Sequence, residues 1–321
     1  MQPSSSSLPK FGASTRRELF QEGAASIHRL ANISELAEKT QKVGTQLLLF
    51  GMTRGALSAP RIASLVPSLT ELVAALGLGE HLVARTGWCI HPADVVSRVA
   101  KVGGTKTVNL RKLRRLAPTH LLVNVDENRR ETIEAVRAWG DAAPQVVVTH
   151  PLDPEDNLAL VAQMAAIFSD VASVAERAAS LDAALRRELA LTSPAERPST
   201  RVLYLIWHDP WMTVARDTYL SRMLARVNWQ TLPAVVGGAT GAARYPALSG
   251  EEPWLADVER VLLSSEPFAF GAAHAAEAAA LCPQARVEHV DGELLSWYGA
   301  RAVAGLAYLR ALADDNRAAT V

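Results

Sequence analysis

Seven ring-bearing residues, Trp88, Trp207, Trp211, Tyr245, Phe268, Trp297 and Tyr298, fall in or beside loops at the ends of expected β-strands. Rings of that size in loops cannot all be core. They suit the walls of a cleft for a large, flat, partly apolar ligand, although some would instead plug lobe bottoms or pack on helices. Glu127, Asn128, Asp209, Glu266 and Glu293 stand among them. Each could orient a ligand through a hydrogen bond, or serve as a helix cap or a solvated group. Cys89 and His91 lie two residues apart, and His208 lies in the later half, so a metal ion is a further candidate. Two donors in one half are too few for a closed zinc site, and no His-x-x-x-His adds to them. The chain has no Gly-x-Ser-x-Gly elbow, no phosphate-cradling Gly-x-x-x-x-Gly-Lys and no Gly-x-Gly-x-x-Gly after a strand. Non-catalytic binding is therefore the expectation, with a metal-dependent enzyme using Cys89, His91 and His208 as the alternative from another class.

The elements that must position these residues centre on 154–192. Apolar residues recur there at Leu158, Val161, Met164, Phe168, Val171, Val174, Ala178, Leu181 and Leu185, a helical stripe. Asp153 before Pro154 reads as an N-cap, and Ser169-Asp170 as a second cap that breaks the stretch, leaving a continuous helix over roughly 171–192. On either side, strands alternate with helical runs. Arg61–Val66, Leu82–Arg85, His120–Val125 and Gln145–Thr149 read as strands before the helix, and Arg201–Trp207, Val258–Ser264 and Arg286–Val290 after it. Helices are expected from Thr70 to Leu76, from Asn109 to Leu116, over Glu127–Trp139 and over Thr218–Val227. That alternation predicts an α/β protein: two Rossmann-like lobes with parallel-type sheets, joined by a single long backbone helix. The expected organisation is an N-terminal extension over 1–59, a first lobe over 60–152, helices including the backbone helix over 153–194, and a second lobe over 195–321.

Composition narrows the class. The chain has 321 residues, 49% hydrophobic and 21% charged, which is enough for two real cores. Its 33 basic and 33 acidic residues leave no global field to attract nucleic acid or an anionic membrane. Two cysteines, one in each lobe, exclude a disulfide framework. No run approaches the roughly eighteen apolar residues of a membrane span. Around Ser4–Ser7 a disordered start is expected, and a short helix within 14–36. Leu47–Ala59 is too short and too deep for a signal peptide, so the chain as written reads as cytoplasmic. A monomer is expected.

Arg-Ile-Ala-Ser-Leu-Val-Pro-Ser-Leu-Thr-Glu-Leu at 61–72 resembles the opening of the cluster-A (class III) solute-binding proteins, the helical-backbone metal receptors, and most nearly their cobalamin-binding members. The resemblance continues through Trp88–Pro92, Lys101–Thr105 with Asn109-Leu110, Leu121–Arg130, Trp207–Thr213 with Asp217–Tyr219, Leu262–Phe268 and Asp291–Arg301. It implies two lobes bridged by one helix, a ligand held between them with small hinge movement, and a periplasmic location. Trp88 takes the place of a ring residue after the second strand, Tyr245-Pro246 that of a corrin-touching pair, and Trp211-Met212 a ligand-facing stretch. A ring residue that those binders carry before the first-lobe helix is missing around Gly103–Thr107. The resemblance also implies an acidic residue on each lobe for docking an ABC permease. Glu251 fits the second-lobe position, whereas Arg111 stands at the first, where its charge repels a permease arginine.

The ligand expected in the cleft is thus a cobalamin-type corrinoid, held as cargo rather than as a required cofactor, with His91 a candidate axial ligand to cobalt. A ferric siderophore or other anionic metal chelate is the alternative, for which Arg85, Arg216 and Arg244 are the candidate contacts.

Overall fold

The computed structural model describes residues 59–238 and 240–318, side chains at 196 and 315–318 excepted. The expectations for the first 58 residues lie outside the described residues.

Short apolar runs make the strands, which are buried along most of their length, with successive residues facing opposite sides of the sheet. The first lobe runs β1 (Ile62–Ser64), α1 (Pro67–Ala75), β2 (Leu82–Arg85), α2 (Ala93–Val96), β3 (Ala100–Lys101), α3 (Leu110–Arg115), β4 (His120–Asn124), α4 (Arg130–Arg137) and β5 (Gln145–Thr149). Its five strands lie in the order β3-β2-β1-β4-β5, all parallel. Two helices follow, α5 (Asp156–Ile167) and α6 (Val174–Leu191). The second lobe runs β6 (Thr200–Leu205), α7 (Tyr219–Ala225), β7 (Trp229–Thr231), β8 (Arg260–Ser264), α8 (Ala272–Leu281), β9 (Arg286–Val290), α9 (Gly292–Ser296) and α10 (Arg301–Ala318). Its four strands lie in the order β7-β6-β8-β9, again all parallel. Two separate parallel sheets with helices are what the alternating pattern predicts.

The inner and outer faces separate cleanly. Leu122, Val147, Val202, Tyr204 and Leu262 point into one apolar cluster that also takes Leu160 and Met164 of α5, Leu185 and Leu189 of α6, and Leu306 and Leu309 of α10. Their strand neighbours turn the other way: Leu121 and Val123 into a first-lobe cluster, Leu203, Leu205, Val261 and Leu263 into a second-lobe one. One core therefore passes through both lobes and the helices between them. A rigid pairing of the lobes follows, since opening them far would expose that core.

The long helix differs in detail from expectation. The 154–192 stretch does break, at 168–173, and α6 keeps 18 residues, about 27 Å at the α-helical rise. Helix α5 begins at Asp156 rather than Pro154; ahead of it Asp153 Oδ1 accepts from the Glu155 amide at 3.2 Å, and Asp156 Oδ2 accepts from the amides of Leu152 at 2.8 Å and Asp153 at 2.9 Å. Helix α1 starts at Pro67 rather than Thr70, because proline at the first position already has helical φ. Helix α4 starts late, at Arg130. Asn124 accepts from the amide of Asp126 at 2.8 Å and Asn128 accepts from that of Asn124 at 2.9 Å, holding 124–128 in a side-chain-closed turn. Strands β3 and β7, and helices α2 and α8, show no periodicity in the sequence. The first three span four residues or fewer, and α8 is mostly alanine.

Candidate functional site

In each sheet the chain reverses its strand order beside the first strand laid down, at β1/β4 and at β6/β8. In open parallel sheets, ligand contacts gather outside the carboxyl ends of the strands at such switch points. After β2, the guanidinium of Arg85 donates to the carbonyls of Val96 at 2.8 Å, Thr86 at 3.1 Å and Cys89 at 3.0 Å. That staple fixes the 86–92 loop. Cys89 is turned in, fully buried, with its sulfur 3.1 Å from the Thr86 hydroxyl, and Trp88 is turned out, 42% exposed. The indole edge of Trp88 lies against Gly104 in the neighbouring loop.

After β4 come Asp126 and Glu127. Lys106 reaches the Asp126 carbonyl at 2.7 Å. Burial pushes the Glu127 carboxyl up to about 7, against the opposing hydrogen bond from Tyr298 and the charge of Lys106. The same burial lowers the Lys106 ammonium. From the second lobe, Glu266 after β8 accepts at one oxygen from the indole of Trp297 at 2.7 Å and the hydroxyl of Ser296 at 3.0 Å. Burial raises the Glu266 carboxyl, and those two donors hold it back.

Polar contacts cross between the lobes. The Tyr298 hydroxyl donates to Glu127 at 3.1 Å. His91 Nε2 meets Glu293 at 3.0 Å, with its ring edge-on to Trp297 at 5.7 Å. Arg244, buried at 1% exposure, lies 3.5 Å from Asp126, which also meets His150 at 3.3 Å. Arg301 holds Glu71 through two bonds and Glu293 through a third. Asp126, Lys106 and Glu71 were missed as cleft residues. The one signal available was Asp126 standing next to Glu127 at a strand end.

The ring residues divide. Trp211, Tyr245 and Phe268 are half-buried and Trp88 is exposed; Trp211 stacks on Phe270 at 5.9 Å, and Phe268 packs against Trp207, Phe270 and His274. Trp207, Trp297 and Tyr298 are 8%, 7% and 6% exposed, and Trp207 and Tyr298 belong to the shared core. That corrects the sequence reading of them as open walls: the inner face of β6 and the turn before α10 draw them in. Burial raises the Tyr298 phenol well above its ordinary range and the Tyr245 phenol to about 12, so both stay neutral donors. Asn128 is likewise a brace rather than a ligand contact. It is 4% exposed, and its amide bonds the carbonyls of Leu65 and Thr105 and the amide of Asn124. Asp209 is exposed, with φ +60, in the loop that the Trp207–Met212 bridge closes.

The three metal candidates do not assemble. Cys89 is buried, its thiol pushed up by burial; His91 bonds Glu293; His208 bonds Glu277 at 2.7 Å in the second lobe. Among the described residues no three His, Cys, Asp or Glu side chains are grouped to hold a metal. The arginines named for an anionic chelate are also engaged. Arg85 is the staple above, Arg216 donates to the Thr231 carbonyl at 3.1 Å, and Arg244 donates to the Gly238 carbonyl at 2.9 Å. Glu251 and Arg111 are both exposed, on the second and first lobes. Among the described residues no helix is long and apolar enough to cross a membrane.

No family model matches the chain. A vitamin B12-binding protein of Vibrio vulnificus is 26% identical over 229 residues, 71% of this chain and 77% of its own. One of Photorhabdus laumondii is 31% identical over 106 residues, 32% of this chain and 38% of its own. Among solved structures, the periplasmic vitamin B12 binding protein BtuF of Vibrio cholerae aligns over 81% of this chain and 98% of its own, with a TM-score of 0.67 at 18% identity. The periplasmic heme-binding protein RhuT of Roseiflexus sp. RS-1 aligns over 80% of this chain and 99% of its own, with a TM-score of 0.64 at 19% identity. Its two parallel sheets and the helices between them give the chain the two-lobe fold of the BtuF-like solute-binding proteins.

Proposed function

We propose that the chain binds a cobalamin-type corrinoid between its lobes, as cargo and without catalysis. In this reading residues 60–152 and 195–321 are the jaws and 153–194 the spacer. The observation that carries it is the supply of ring faces at the strand ends of both lobes: Trp88 from the first, Trp211, Tyr245 and Phe268 from the second. Rings stacked on a rigid macrocycle remove apolar area while freezing few rotors. Two further features favour a corrinoid over an anionic chelate. Glu127, at about 7, is largely protonated below neutrality and can donate to an amide carbonyl. Arg85, Arg216 and Arg244 are engaged by backbone carbonyls. The curated relatives named for vitamin B12 point the same way.

Titration with hydroxocobalamin tests the reading. Saturable binding tighter than about 10 μM by calorimetry, with quenched tryptophan fluorescence, is expected. No saturable heat overturns it.

A porphyrin is the second reading. Several structures of this fold are described as heme-binding proteins, and His91, with its side chain 37% exposed, could ligate iron. Hemin that binds while hydroxocobalamin does not, with a Soret shift lost in His91→Ala, would select it. A periplasmic location and delivery to an ABC permease belong to the same proposal, supported by the structures described as periplasmic. Cell fractionation checks the location. The exposed Glu251 suits a basic permease loop, whereas Arg111 does not.

A further inference from the structure

The first lobe carries a groove of ≈540 Å³ lined by Leu110, Arg111, Arg114, Arg115 and Trp139, none of them a cleft residue. Arg111, Arg114 and Arg115 are exposed, and Trp139 is half-buried at the groove wall. The Arg114 guanidinium lies over the Trp139 ring, 5.7 Å from its centre, which holds one cation in place. Lys112 adds a fourth positive charge to the same two turns. None of the four side chains forms an ion pair among the described residues, whereas Glu134 of α4 pairs with Arg130 at 2.6 Å.

This concentration of charge works against the helix that bears it. Arg111 repels Arg114 and Arg115 at spacings of three and four, and it stands at the positive end of the helix dipole. A solvated face does not require three arginines and a tryptophan lining one groove. Guanidinium forks match carboxylates in pairs, and arginine and tryptophan are residues that anchor protein interfaces. We propose that this groove docks a protein segment presenting two or three carboxylates beside an apolar side chain, with Leu110 and Trp139 as its apolar floor. The inference stands on this face alone and holds whichever ligand occupies the cleft.

A fluorescein-labelled peptide of alternating glutamate and leucine, titrated into the full chain and followed by anisotropy, tests it. Saturable binding at about 20 mM salt is expected, weakened at about 200 mM as the charges are screened. The variant Arg111→Glu/Arg114→Glu/Arg115→Glu should bind at least about tenfold more weakly, with unchanged melting and unchanged cobalamin titration. The milder Arg111→Gln/Arg114→Gln/Arg115→Gln guards against a folding defect and should lose most of the binding. Equal binding by wild type and variants overturns the proposal. So does binding of phosphatidylglycerol vesicles, or of inorganic phosphate, without binding of the peptide.

Discussion

Arg301, at the start of α10, grips Glu71 of α1 with two hydrogen bonds of 2.7 and 3.1 Å across the two lobes. Both side chains are largely buried, 14% and 22% exposed, and the same guanidinium reaches Glu293 at 2.8 Å and covers the Trp297 ring at 4.7 Å. His91 closes the row on Glu293. One cation therefore ties the first-lobe helix, the second-lobe turn and the cleft histidine together. Removing it leaves two partly buried carboxylates side by side. Arg301→Met should lower stability by about 1–3 kcal/mol, and a double-mutant cycle with Glu71→Gln should show coupling of about 1 kcal/mol or more. Urea denaturation of the four proteins measures both; additive effects would show that the contact does not join the lobes energetically.

Glu127 predicts a pH dependence. Its carboxyl titrates near 7 in the folded chain, raised chiefly by burial, and near the ordinary 4.5 when unfolded. The folded state thus holds the proton more tightly. Stability from this group is fully present below about 4.5 and is lost as pH rises through about 7. The loss at pH 8 amounts to at most about 3 kcal/mol, less with solvent screening. Glu127→Gln should flatten the fall in melting temperature between pH 5 and pH 8 and leave the variant more stable than wild type at the higher pH. An unchanged slope would mean that another group titrates.

Trp88 separates binding from folding. Its ring is 42% exposed, so little core is lost when it is removed. Trp88→Ala should change the melting temperature little, yet weaken hydroxocobalamin by about fivefold or more, the value of one stacked ring. Trp297→Ala, at a buried ring bonded to Glu266, should cost about 3 kcal/mol or more of stability in the same assay. If calorimetry gave Trp88→Ala the wild-type affinity, the cleft assignment would lose its first-lobe wall.

Gly305 marks where α9 and α10 touch. A Cβ there would sit 2.0 Å from the Leu294 carbonyl, which is backbone and cannot swing aside. Gly305→Ala should therefore destabilise by about 1–3 kcal/mol in thermal melting, despite alanine's better helix propensity. A stabilised variant would mean that the two helices separate freely.

The architecture was legible because its cause is local. Alternating strands and helical stripes in 61–312 require parallel sheets with helices on their faces, and the apolar spacing from Leu158 to Leu185 requires an amphipathic helical stretch between them. Strands β2, β5 and β9 are bounded as their patterns predict. The fragments that escaped, β3 and β7, are two and three residues long and are strands only because β2 and β6 lie beside them. At the cleft the sequence determined which residues reach the strand ends, but tertiary contacts decided what each one does there. Trp88 and Trp297 are the same residue type in the same kind of loop; one is held outward by the Arg85 staple, the other is drawn under Arg301 and onto Glu266. Asn128 is chosen as a brace by two carbonyls 63 and 23 residues away, and Glu127 accepts a hydrogen bond from Tyr298, 171 residues on, while burial keeps its proton. Exposure, partners and proton affinity depend on groups that meet only when the chain has folded, and no spacing along the chain carries that information.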